Sequence, residues 1–328
     1  MTAIQVTEAA VPGQRHEQNS VFPLVLVCQT PDATLEDVTD WIAENREQLI
    51  ARSAEVGTIL FRGFPVANDQ DFDRFLTAFG LPNFRYEDSL SNAVRVVRTE
   101  RVFTANEAPP EVNIYLHHEM AQTPVYPSRL FFFCEKAADQ GGETPLCRSD
   151  VLYEMMKQQL PQFAADCAAK GLKYSHTMPA ANDAGSGMGR SWQSTLRADT
   201  PDQAEARLQG LGYTWEWLED GCLKVTTPVL PAVRDLSDGR QVFFNQLIAA
   251  FNGWKDSRND PSRSITFGDG TPLDPATMKQ VIDLAETITF DTPWQTGDVA
   301  LVDNYVAMHG RRTFTGTRKV LASLVAAE

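Results

Sequence analysis

The apolar positions of this chain change their period several times. Runs that alternate or stay unbroken over a few residues predict strands, and runs that recur every three or four residues predict helices. "VFPLVLVCQ" (21–29), "TILFRGFPV" (58–66), "NAVRVVRT" (92–99) and "SRLFFFCEKAA" (128–138) read as strands. So do "YTWEWLEDGCLKVTTPVLPAVRD" (213–235) and "GRQVFFNQLIAAF" (239–251), with a turn at "LSDG" between them. Helical spacing of Leu35, Val38, Trp41, Ile42 and Leu49, with Asp32 or Thr34 to cap, predicts a helix that ends by Gly57. Further helices are predicted in "NDQDFDRFLTAFG" (68–80), "SDVLYEMMKQQLPQFAADCAAKG" (149–171), "TPDQAEARLQGLG" (200–212) and "PATMKQVIDLAETI" (275–288). Many strands with a few helices outside them predict an α+β, mainly β fold. Its expected core is a double-sheet jelly roll with flanking helices.

Two stretches have no period. "ERVFTANEAPPEVN" (100–113) carries Pro109 and Pro110 and reads as a loop. The segment 174–193, inside "KYSHTMPAANDAGSGMGRSWQ", is rich in Gly, Ala, Ser and Asn and is a candidate lid. Its His176 reads as a surface histidine. Residues 1–20 read as a flexible tail, and 21–328 as one domain.

Composition narrows the classes. The net charge of −14 argues against binding nucleic acid through phosphates. No apolar run approaches the ~20 residues that span a bilayer, and the first residues lack a secretory pattern, so a cytoplasmic location is expected. The cysteines Cys28, Cys134, Cys147, Cys167 and Cys222 are odd in number and show no CxxC spacing. They read as buried free thiols rather than a zinc-thiolate site.

Candidate chemistry centres on "IYLHHEMA" (114–121). On a strand, residues two apart share a face. His117 and Glu119 are then two ligands of a 2-His-1-carboxylate site for Fe(II), and His118 points away. The third histidine is His16, His176 or His309. His309 suits best, at a strand end beside Gly310. Such a centre leaves positions for a bidentate 2-oxo acid and O₂. The distal carboxylate of that cosubstrate needs a cation, and the planar fork of an arginine fits it. Arg318, nine residues beyond His309, is the candidate, with the Thr144 hydroxyl of "GGETPL" beside it. Asn113 is placed toward the substrate. Arg62 reads as a structural charge. Arg311 and Arg312 fall in the turn after His309 and are expected to face solvent or the substrate mouth rather than the cosubstrate pocket.

With these pieces in order, the chain resembles the taurine dioxygenase-like (TauD/TfdA) family of Fe(II)/2-oxoglutarate-dependent oxygenases, and within it the clavaminate synthase-like branch. "LHHEM", "PSRLFFFCEKA", "GGETPL", "RSWQ", "FFNQ", "FGDGTPL", "WQTGDVALVDN" and "HGRRTFTGTRKVL" carry the resemblance. It implies a double-stranded β-helix core, a jelly roll with helical flanks, with His117, Glu119 and His309 as iron ligands, and Thr144 and Arg318 as holders of 2-oxoglutarate. It also implies hydroxylation of an unactivated C–H bond, coupled to decarboxylation of 2-oxoglutarate to succinate and CO₂. Two features set the chain apart. Sulfonate-binding members carry a second arginine where Ala322 stands here, and the ligand carboxylate is glutamate. "RTERVFTANEAPPEVNIYLHHEMAQTP" is similar to amino-acid hydroxylases of syringomycin-type pathways. An amino-acid-derived small molecule, free or tethered to a carrier protein, is the expected substrate. Alternatives are desaturation or epoxidation on the same scaffold, a zinc hydrolase, a non-enzymatic regulatory protein, and a halogenase, which Glu119 disfavours.

Overall fold

The computed structural model describes residues 4–17, 20–91, 93–255, 257–260 and 264–326. Its centre is a seven-stranded mixed sheet faced by a four-stranded one. The larger sheet runs, in spatial order, Val6–Glu8, Leu24–Cys28, Thr58–Arg62, Val299–Asp303, Arg129–Lys136, Lys319–Val325 and Phe103–Thr104. The smaller runs Phe290–Thr292, Thr144–Arg148, Ala307–Arg311 and Ile114–His117, all antiparallel. Alternation along these strands divides the core. Leu130, Phe132, Leu146, Ala300, Val302, Ala307, Val320 and Leu324 meet between the two sheets. Phe131, Phe133, Val299, Leu301 and Leu321 face the other way, under the helices Leu35–Val56 and Asp69–Thr77. Each fully buried phenylalanine of this kind contributes roughly 2–3 kcal/mol.

Local signals explain most boundaries. Thr34 and Asp37 form a capping box that starts Leu35–Val56, and Gly57 ends it. Pro161 sits at the first turn of a new helix, so 149–171 is two helices, Ser149–Gln159 and Pro161–Lys170, rather than one. The first has Arg148 at its N-cap position with no side-chain cap, so neither Ser149 nor Asp150 caps it.

Other expectations are corrected. The segment set aside as a tail is tied down. Val6–Glu8 pairs with Leu24–Cys28, and Arg15–Glu17 with Ser20–Phe22; residues 1–3 and 18–19 lie outside the described residues. In "NAVRVVRT", Asn92 lies outside the described residues, and the described residues 93–99 form no strand beyond a single bridge from Val97 to Phe103, with Val96 and Val97 exposed. The apolar run Leu247–Gly253 is a helix. An unbroken apolar run shows no period, and the Asn245 side chain accepts the Leu247 N–H at 2.9 Å, closing a turn there. The irregular part of the candidate lid segment is shorter than expected. Leu172–Met178 is a strand and Trp192–Leu196 a helix, leaving 179–191 irregular. His176 is buried on that strand opposite Val225, its ring 5.7 Å from Trp254. No helix among the described residues is long and apolar enough to cross a membrane.

Candidate metal centre

His309 lies inside the strand Ala307–Arg311, paired with Leu146 on one side and His117 on the other. Its neighbour Met308 turns to the helix-facing core, so the His309 ring enters the space between the sheets, 5.2 Å from Phe132. The His117 and His309 rings are 4.3 Å apart. Gly310 is required by a close approach of backbone to backbone, not to a ligand: a Cβ there would sit 2.4 Å from the Ile114 carbonyl oxygen. The register shifts at that point.

Glu119 reaches the same place by a different route from simple alternation. The strand ends at His117, and Glu119 lies in the turn that follows, where Met120 takes a positive φ of 58°. Asn304 holds this turn. Its Oδ1 accepts the Glu119 N–H at 2.7 Å, and its Nδ2 donates to the carbonyls of Glu119 and Pro127 at 3.0 and 2.8 Å. His118 points away, as expected. It is fully buried, its Nδ1 bonded to the Asn304 carbonyl and its ring 4.8 Å from Phe244.

The result is a cluster whose donor atoms on His117, Glu119 and His309 lie within 4.8 Å of one another. Glu119 Oε2 is 3.2 Å from His309 Nε2 and 3.8 Å from His117 Nε2. The His117 Nδ1 is 2.7 Å from the Tyr115 carbonyl, so Nδ1 carries the proton and Nε2 keeps a lone pair toward the cluster. Burial, with His117 alongside, pushes the His309 imidazole down to about 4, which keeps it neutral. Burial alone raises the Glu119 carboxyl, but Arg95, His117 and His309 outweigh it and hold the group well below the usual carboxylate range. Two imidazoles and one carboxylate converging on one point are the donor set of a facial metal triad.

Two cavities meet at the cluster. One, of about 450 Å³ including its open mouth, is lined by His117, His309, Phe132, Thr144, Arg311 and Arg318. Arg318 Nε donates to the Gly142 carbonyl at 2.8 Å and a terminal nitrogen lies 3.4 Å from Thr144 Oγ1. Thr144 also accepts from Trp294 Nε1 at 3.0 Å. Among the described residues no carboxylate pairs with Arg318. Burial and the nearby Arg311 lower its guanidinium to about 10. The other cavity, about 670 Å³, brings Asn113, Gln122, Met188 and Trp254 to the side of His117 and Glu119.

The structure corrects Arg311. It is buried at a strand end rather than in a turn facing solvent, and it donates to the carbonyls of Asn106, Ala108, Pro109 and Val112 at 3.3, 2.8, 2.7 and 2.7 Å. It therefore anchors the proline loop over both cavities. Arg312 does face outward, to Glu286 and Asp291. Arg62 pairs with Asp298 at 2.7 Å, a structural role. Ala322 is sealed in the inter-sheet core. The cation beside the cluster is instead Arg95, 2.9 Å from Glu119 Oε1. It was missed because "NAVRVVRT" alternates and read as a strand, with no role given to its arginines.

The chain matches the taurine catabolism dioxygenase TauD, TfdA family over residues 20–324. It belongs to that family. A clavaminate synthase-like protein of Arabidopsis thaliana is 40% identical, covering 99% of each chain. The dapdiamide synthesis protein DdaC of Enterobacter agglomerans is 25% identical, covering 83% of each. In fold the chain is similar to PvcB of Pseudomonas aeruginosa, with a TM-score of 0.53 and 12% identity, covering 100% of this chain and 92% of that one. A TauD/TfdA-family member with this buried triad is an Fe(II)/2-oxoglutarate-dependent oxygenase.

Proposed function

We propose that this oxygenase hydroxylates an unactivated C–H bond of an amino-acid-derived substrate, on a double-stranded β-helix core formed by the two facing sheets. The observation that carries the cosubstrate assignment is the half-buried cation Arg318, which meets no carboxylate among the described residues and lines the same cavity as His117 and His309. A buried charge without a partner is costly, and the far carboxylate of 2-oxoglutarate supplies the partner. Arg318 then makes a paired, charge-assisted contact, and the Thr144 hydroxyl adds a hydrogen bond.

His117, Glu119 and His309 hold the iron, which when bound supplies activation of O₂ and oxidation of the C–H bond as 2-oxoglutarate becomes succinate and CO₂. The residues around it do the positioning. Tyr115 fixes the His117 tautomer, Asn304 fixes the Glu119 turn, and Met188 and Trp254 give the larger cavity apolar walls. Asn113 and Gln122 line that cavity, and Gln122 Oε1 is buried without a hydrogen-bond partner. An acceptor in that state favours a substrate bearing an ammonium or amide N–H. DdaC and PvcB serve as precedents, being named for dapdiamide synthesis and for an isonitrile synthetic pathway. The carrier-tethered form of the substrate remains part of the proposal.

The test is succinate formation from 2-oxoglutarate with Fe(II) and air, against a panel of free and carrier-tethered amino acids, reading product mass. A gain of one oxygen atom coupled to succinate supports the reading. No succinate above a His309→Ala background with any panel member sinks it.

A further inference from the structure

We propose that Arg95 is a positioning residue that limits Glu119 to one-oxygen ligation of the metal, an inference that rests on the metal reading above. The two Glu119 oxygens have different partners. Oε2 faces the Nε2 atoms of both histidines, while Oε1 is taken by Arg95 at 2.9 Å. An octahedral ion held by three protein atoms keeps three positions free, enough for a bidentate 2-oxo acid and O₂. A glutamate that gave both oxygens would take one of them.

Arg95 is built to prevent that. Its side chain is only 7% exposed, and its guanidinium rests 4.9 Å from the Tyr86 ring and 5.4 Å from the Phe103 ring. The Tyr86 hydroxyl donates to the Ala93 carbonyl, which ties the ring in place. Arg190 donates to the Ser89 carbonyl at 2.8 Å, and it too lies against Tyr86, at 5.1 Å. Arg95 is therefore held between Glu119 and the two rings. Bidentate ligation by Glu119 would have to break a buried charge pair first. Arg95 also lines both cavities at the cluster, so it forms part of the wall between cosubstrate and substrate.

Co(II) serves as the probe, added to the full chain without 2-oxoglutarate. The ligand-field absorption reports the number of donor atoms, and 2-oxoglutarate is titrated afterwards. Arg95→Gln is expected to bind one Co(II) with a changed spectrum. Its dissociation constant for 2-oxoglutarate is expected to rise about 10-fold, the scale of a lost outer-shell partner. Arg95→Lys, which keeps a charged donor, is expected to return most of both effects. Arg95→Met keeps the packing between the two rings and serves where Arg95→Gln fails to fold. A neutral variant that folds, with a spectrum and a 2-oxoglutarate affinity superimposable on the parent, overturns the role of Arg95 alone. A parent protein that binds no Co(II) overturns the metal reading and this inference together.

Discussion

Asn304 grips Glu119 from both sides of its peptide: the side-chain oxygen accepts the Glu119 N–H at 2.7 Å while the amide nitrogen donates to its carbonyl at 3.0 Å. A single buried side chain thus sets the direction in which the carboxylate leaves the turn. Asn304→Ala removes these bonds and the one to Pro127, and leaves buried groups unpaired. The expected loss is about 2–4 kcal/mol, from roughly 1–3 kcal/mol for each unsatisfied group after partial relaxation. Metal affinity is expected to fall at least ~10-fold. Urea unfolding and a Co(II) titration measure the two effects. A variant that binds metal like the parent would detach Asn304 from the site.

The neighbouring histidines should separate cleanly. His117→Ala and His309→Ala are expected to abolish metal binding. His118→Gln is expected to retain it, because His118 faces Phe244 and not the cluster. Metal lost in the His118 variant and kept in the His117 variant would reverse the assignment.

His118 also gives a pH signature. Burial pushes its imidazole down to about 3 in the folded protein, against about 6.5 when exposed. A depressed histidine favours folding above the unfolded pKa, and that contribution is lost as pH falls below it. In metal-free protein, the stability of the parent relative to His118→Gln should therefore drop by about 1.4 kcal/mol between pH 7.5 and 5.5. Taking the difference cancels Asp303, whose carboxyl burial raises to about 6 and which acts in the opposite direction. A difference that stays constant would mean that His118 is charged in the fold or exposed.

How much of this was legible in the sequence depended on whether a residue acts through its own strand or through a partner far along the chain. His117, Glu119 and His309 were readable because metal ligation needs few residue types, and family motifs carried Thr144 and Arg318. The reason for Glu119 was not readable. Alternation gave the right face, but the turn with Met120 at positive φ and the Asn304 clamp do the aiming, across a separation of 185 residues. Arg95 was hidden by an alternating pattern that its loop never uses. Arg311 was assigned to a turn because its four carbonyl partners lie about 200 residues earlier in an unpatterned loop. The register that pairs His309 with His117 is a tertiary fact with no local signal beyond Gly310.

The irregular segment 179–191 folds back on itself over the larger cavity, with the Asp183 N–H donating to the Gly189 carbonyl at 2.7 Å and Met188 buried against the cavity. A Cβ at position 189 would fall 1.6 Å from the Asp183 carbonyl oxygen. Gly189→Ala must therefore open the segment. Amide hydrogen exchange across 179–191 is expected to rise, and 2-oxoglutarate consumption without substrate oxidation to increase as water enters. Unchanged exchange would show that the segment tolerates the methyl by moving as a unit.

The last prediction separates three arginines close in sequence. Arg318 is the half-buried cation with no carboxylate partner among the described residues, Arg311 binds backbone carbonyls of the 106–112 loop, and Arg312 is engaged by Glu286 and Asp291 near the surface. Arg318→Ala should raise the apparent Michaelis constant for 2-oxoglutarate by ~100-fold, since a lost buried pair costs a few kcal/mol and each 1.4 kcal/mol is a factor of about ten. Arg318→Lys should recover part of it, because charge returns without the planar fork. Thr144→Val should cost about 1 kcal/mol, the net value of one hydrogen bond. Arg311→Ala should loosen the proline loop, visible as faster hydrogen exchange over 106–112, and affect cosubstrate and substrate together. Arg312→Ala should leave 2-oxoglutarate saturation as in the parent. The measurement is 2-oxoglutarate saturation at fixed iron for each variant. A parent-like curve for Arg318→Ala, with a large shift for Arg312→Ala, would move the carboxylate seat out of this cavity.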